Sequence, residues 1–132
     1  MPEIAALVAD AVRAPSSHNT QPWVFAGRDG GVALLADRTR ALPVNDPHDR
    51  ELTISCGAAL FTLRLAARAR GLGERTRILP EPDDPDLLAM VELKGGRAAA
   101  PGDAALLAAV ASRRTHRGAF RPDPVPRTCS RG

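Results

Sequence analysis

Cysteine is scarce in this chain of 132 residues: only Cys56 and Cys129 occur, and neither has a partner at close, metal-type spacing. That excludes a zinc knuckle or a redox CxxC centre. A disulfide is not expected in a reducing cytosol, and Cys56 falls in an apolar helical pattern where buried thiols are common. Histidine is sparse too. His18, His48 and His116 form no i,i+4 pair and no HExxH, so no metal site is expected. No G-x-S-x-G elbow, P-loop or G-x-G-x-x-G is present, and no side chain is assigned as a catalytic nucleophile. No run approaches the ~18 to 20 apolar residues of a membrane helix. The first residues lack the basic, apolar and cleavage regions of a secretory signal. The expectation is a cytoplasmic protein with no membrane partner.

Lysine is almost absent, one against seventeen arginines. The net charge of +3 is an average over two unlike parts. Residues 1–111 carry twelve Arg/Lys and fourteen Asp/Glu, whereas residues 112–132 carry six Arg and one Asp. The basicity is therefore local. It favours a small anion pocket near the tail over a nucleic-acid surface, and no nucleic-acid partner is expected.

What is present is a single domain's length with ordinary apolar content, enough for one hydrophobic core. From Pro2 to Arg13, Ile4, Leu7, Val8, Ala11 and Val12 share one helical face, and Pro15 discourages helix at Ala14. Trp23 to Ala26 and Val32 to Ala36 are apolar runs around a turn at residues 27–31, predicting a β-hairpin. Residues 38–44 read as loop. Asp46-Pro47-His48-Asp49 reads as a helix start, with Asp46 as cap and Pro47 in the first turn. That helix runs to about Arg70, and Gly71 stops it. One stripe on it is Leu52, Cys56, Ala59, Leu63 and Ala66; a second is Ile54, Ala58, Phe61 and Leu65. Apolar over most of its girth, it is predicted to be a central helix buried against more than one neighbour. Strands at 75–79 and 87–93 around an acidic, proline-rich loop predict a second hairpin, and Asp103 caps a helix to Ala111. Helices mixed with hairpins, without βαβ alternation, predict an α+β fold.

Two stretches carry candidate chemistry. Ala14 to Phe25 reads A-P-S-S-H-N-T-Q-P-W-V-F. Ser16, Ser17, Asn19 and Gln21 supply donors and acceptors, and Pro15 and Pro22 restrict the backbone. Such a segment suits the heteroatom edge of a flat ligand such as a flavin or pterin. It equally suits a helix-to-strand turn in which Ser and Asn satisfy backbone groups. The second stretch, Arg113 to Arg117, gathers three guanidinium groups and one hydroxyl, the donor set a phosphate monoester takes. A solvated basic segment fits the same residues.

Together these stretches resemble the FMN-dependent nitroreductase superfamily. The first is similar to its A-P-S-x-x-N-x-Q-P-W-x-F segment, and R-R-T-H-R-G-A-F at Arg113–Phe120 to its R-R-[ST]-x-R-x-x-F element. Their order is reversed relative to ordinary nitroreductases. With R-E-L-T-I-S-C-G-A-A-L from Arg50, the reversal resembles the Acg-like branch, in which two such units are fused in one longer chain. The resemblance implies a nitroreductase-like α+β unit with a long central buried helix and a small, largely antiparallel sheet, incomplete here. Residues 1–111 would be a first unit and residues 112–132 the start of a second. It implies ring contacts from Pro15, Ser16, Ser17 and Asn19, and phosphate contacts from Arg113, Arg114, Thr115 and Arg117. It implies FMN as cofactor, NAD(P)H as electron donor, and nitroaromatics, quinones or similar small molecules as acceptors. A non-catalytic FMN store and an inactive fragment are the alternatives. Val24 stands where the family often has a basic residue, and second-unit contacts to the flavin are missing. A homodimer or a missing second unit is the expected partner. The unpatterned Cys129-Ser130-Arg131-Gly132 suggests a truncated or frame-shifted end.

Overall fold

The computed structural model describes residues 2–28, 30–96 and 98–125, so the unpatterned tail lies outside the described residues. Helix α1 (Pro2–Ala11) leads through a 3-10 turn at Ser17–Asn19 to strands β1 (Trp23–Arg28) and β2 (Gly31–Ala36). A second 3-10 turn, Arg38–Arg40, precedes the long helix α2 (Arg50–Ala69). Strands β3 (Gly73–Ile78) and β4 (Leu87–Lys94) and helix α3 (Asp103–Ser112) follow. The sheet is antiparallel throughout, in the order β1-β2-β4-β3. Both predicted hairpins form. The first is tighter than expected, because Gly27 and Arg28 continue β1 opposite Val32 and Gly31 instead of turning. The second inserts β4 between β2 and β3, with an irregularity in register between Leu34 and Leu35.

One face of α2 covers the sheet. Leu52, Cys56 and Ala59 pack with Trp23, Leu34 and Ala89; one turn on, Leu63, Ala66 and Ala67 pack with Val32, Val91 and the Leu7–Ala11 face of α1. The first predicted stripe is therefore the core. The second is not: Leu65 is buried, but Ile54 and Phe61 are 55% and 52% exposed. The sheet takes one side of α2 and helices α1 and α3 its flanks, and among the described residues the side between is left exposed at Ile54 and Phe61. Helix α2, although interrupted by Arg50, Glu51, Arg64 and Arg68, reaches a mean hydropathy of 1.2 over 18 residues, enough by length and composition alone to pass for a membrane span. Half of that window is buried inside the domain, as befits a core helix.

The ends of α2 show how local chemistry sets its length. The helix starts at Arg50, later than predicted, because residues 46–49 form a turn closed by the Asp49 amide on the Asp46 carbonyl at 3.2 Å. Asp46 still serves the helix by reaching forward, its carboxylate accepting from the Leu52 amide at 2.9 Å. Burial opposes the charge on Asp46, but the backbone donors of Leu52, Glu51 and Arg50 outweigh it and hold its carboxyl below the usual range. At the other end Gly71 takes φ 73°, its amide meets the Arg68 carbonyl and Leu72 meets Ala67, both at 3.0 Å. This paired reverse bonding at a left-handed glycine satisfies the last carbonyls of the helix.

Candidate functional site

The loop after α1 is tied into a compact knot by its own hydroxyls. Ser16 Oγ accepts from the Gln21 amide at 2.9 Å, and the Ser17 carbonyl accepts from both the amide and hydroxyl of Thr20. The turn reading holds here: the Ser16 hydroxyl satisfies the Gln21 amide, and the Ser17 carbonyl closes the turn on Thr20. Three outside contacts fix it. The Ser17 amide donates to Ser55 Oγ on α2 at 3.1 Å, Cys56 Sγ donates to the Pro22 carbonyl at 3.2 Å, and Arg40 Nη1 donates to the Thr20 carbonyl at 3.2 Å.

The arginine element leaves the C-terminal end of α3 and runs beside this loop. The Arg113 amide caps Ala109 at 2.9 Å, its Nη1 meets Thr115 Oγ1 at 3.2 Å, and its Nη2 meets the Arg13 carbonyl at 3.4 Å. Arg114 Nη1 donates to the carbonyls of Arg113 and Ala111 at 2.8 and 3.3 Å. His116 stacks tilted on Phe120, ring centroids 4.9 Å apart, and turns to the Ala119 carbonyl.

Between the two segments lies an open cleft of about 450 Å³. Pro15, Ser16 and Asn19 line one side, and Arg113, Arg114, Thr115 and Arg117 the other. Arg13, Val110 and Ala111 complete the lining. Seven of the eight residues singled out in the sequence thus meet in one cavity across about a hundred residues of chain. Ser17 is the exception, its amide being turned to α2. Among the described residues no carboxylate lines the cleft and four arginines do, a field suited to a phosphate. Sequence reasoning missed Arg13, which as a lone cation at a helix end reads as a complement to the helix dipole. It missed Ser55 and Cys56 as loop anchors, although the run of small residues there signalled close approach. No group of three or more His, Cys, Asp or Glu that could hold a metal occurs among the described residues.

Solved structures share this architecture. A nitroreductase family protein from Streptococcus pneumoniae TIGR4 superposes with a TM-score of 0.57 at 14% identity, covering 92% of this chain and 85% of that one. A provisionally assigned NADH oxidase of Clostridium acetobutylicum gives 0.57 at 18% identity over 75% of this chain and 78% of that one. The fold is that of the nitroreductases. In sequence, the chain is 36% identical over 121 residues to a Mycobacterium tuberculosis protein provisionally named NAD(P)H nitroreductase acg, covering 92% of this chain and 37% of that one. A second M. tuberculosis protein given the same provisional activity is 39% identical over 118 residues, 88% of this chain and 33% of the relative. The chain therefore spans about a third of the length of these curated relatives. No protein-family model matches it.

Proposed function

We propose that this chain supplies part of the flavin site of an FMN-dependent oxidoreductase of nitroreductase type. The whole protein would pass electrons from NAD(P)H through FMN to nitroaromatics, quinones or similar small acceptors. The observation that carries this reading is the cleft itself, where a hydroxyl–amide loop and a carboxylate-free arginine cluster, distant in sequence, face one another. The donor set fits the cofactor. Arg113, Arg114, Arg117 and Thr115 would hold the phosphate, with Arg13 adding a fourth cation, and Pro15, Ser16 and Asn19 would meet the ring. FMN, when bound, supplies the hydride and electron chemistry; these side chains bind and orient it. Residues 1–111 would then form a first unit and residues 112 onward open a second, the remainder of which would cover the bare side of α2. A second copy of the chain is the alternative cover, and a cytoplasmic setting is part of the same reading.

Purified chain titrated with FMN, followed by quenching of flavin fluorescence, is expected to show saturable binding. Arg113→Ala together with Arg117→Ala should weaken it by at least tenfold, since each guanidinium–phosphate bond contributes ~1.5 to 3 kcal/mol. Arg13→Ala should weaken it less, because the contact of Arg113 with residue 13 is to the main chain. Protein that takes up no FMN would overturn binding by this chain. A second reading, a non-catalytic FMN holder, needs only the grip that the loop and the arginines lining the cleft would supply. It predicts bound FMN that NADPH leaves oxidised, whereas NADPH-dependent bleaching supports the enzyme.

A further inference from the structure

The loop between α1 and β1 is held in a conformation its residues do not favour. His18, Asn19 and Gln21 lie at φ 50°, 56° and 50°, although the loop contains no glycine. The left-handed region costs a residue with a side chain of order 1 to 2 kcal/mol, and asparagine tolerates it better than histidine or glutamine do. Strain of this kind persists only where the surroundings over-determine it.

The surroundings here are two adjacent residues in one turn of α2. Ser55 is 4% exposed and Cys56 1%. Ser55 Oγ gives its hydrogen to the Glu51 carbonyl at 2.8 Å, so it is left as a fixed acceptor for the Ser17 amide. Cys56 holds the other end of the loop through the Pro22 carbonyl, which also accepts from the Asp37 amide at 3.0 Å. Arg40, steadied by Asp37 at 3.2 Å, binds the Thr20 carbonyl between them. Start, middle and end of the strained segment are each held.

We propose that Ser55 and Cys56 are positioning residues that keep the loop of residues 16–22 set for its ligand before the ligand arrives. This rests on the flavin reading of the cleft for the ligand, though not for the clamp. With Gln21 held left-handed, its amide meets Ser16 Oγ, and with no acceptor for its hydrogen among the described residues the Ser16 hydroxyl is available to the cleft it lines. A loop fixed in advance pays no ordering cost on binding. The arginine element is anchored separately, to α3 and to the Arg13 carbonyl. Loosening the clamp should therefore weaken the grip on a ring and spare the grip on a phosphate.

Ser55→Ala tests this by three readouts: amide hydrogen exchange of residues 17–23 without ligand, FMN affinity, and affinity for inorganic phosphate by calorimetry. Loop exchange should rise and FMN affinity fall, each about tenfold, the equivalent of one lost buried hydrogen bond. Phosphate affinity should stay unchanged. Arg40→Ala, at the surface, should move the same readouts in the same direction and serves if Ser55→Ala does not fold. Unchanged loop exchange, or FMN and phosphate affinities falling together, overturns the proposal. Should the unmodified chain bind no FMN, the flavin reading fails and the exchange rates alone decide the clamp.

Discussion

Cys56 shows how a single core residue carries more than packing. Burial pushes its thiol up to about 11, the nearby charge of Arg38 pulling weakly the other way, and the proton it retains is the one given to Pro22. The unfolded thiol ionises near 9, so the folded state is the one that prefers the proton. Stability from this group is complete below about pH 9 and is lost as pH rises from there through about 11. The melting temperature should fall across that window, and Cys56→Ser, which keeps a donor without a titrating thiol, should flatten the fall. Parallel pH profiles for the two proteins would show the thiol to be irrelevant. At this scale the sequence showed Ser16, Asn19, Arg113 and Arg117 through short local motifs. It hid Ser55 and Arg13, whose partners lie 38 and 100 residues away, because a contact of that span leaves no local pattern.

Among the elements, those with local causes were legible and those with distant ones were not. The stop at Gly71 and the β1–β2 turn follow from residues a few places apart. The insertion of β4 beside β2 depends on which strands meet in space, and its sign in the sequence is faint: a glycine at Gly31. A Cβ there would stand 2.2 Å from the Val91 carbonyl oxygen, a backbone atom that cannot swing aside. Gly31 thus permits the close approach of β2 to β4, and through it the seating of α2 over both. Gly31→Ala should cost ~1 to 3 kcal/mol by forcing the strands apart. Chemical denaturation would read this as a lower midpoint at unchanged slope. A midpoint equal to that of the original chain would show that the sheet accommodates the methyl group freely.

For the whole molecule the decisive feature is the face that the sequence predicted to be covered and the fold leaves bare. Phe61 and Ile54 on α2, Leu106 on α3 and Val12 beyond α1 are exposed, and α3 has no buried residue. A cleft of about 360 Å³ runs along this face, lined by Ala58, Phe61 and Leu106, and shares Arg13, Pro15, Val110 and Arg113 with the candidate flavin site. A partner packed there would also wall the site, which would couple assembly to ligand binding. Exposed apolar side chains gathered in this way are what an interaction surface would present. The chain on its own should therefore associate at micromolar concentration, read as a mass above the monomer by light scattering. Phe61→Lys places a charge on the exposed ring position and should restore the monomer with stability changed by no more than about 0.5 kcal/mol, the usual range for surface substitutions. If a partner walls the site, the same change should also weaken FMN binding, although Phe61 lines only the neighbouring cleft. An unmodified chain that stays monomeric at high concentration would count against this surface as an interface.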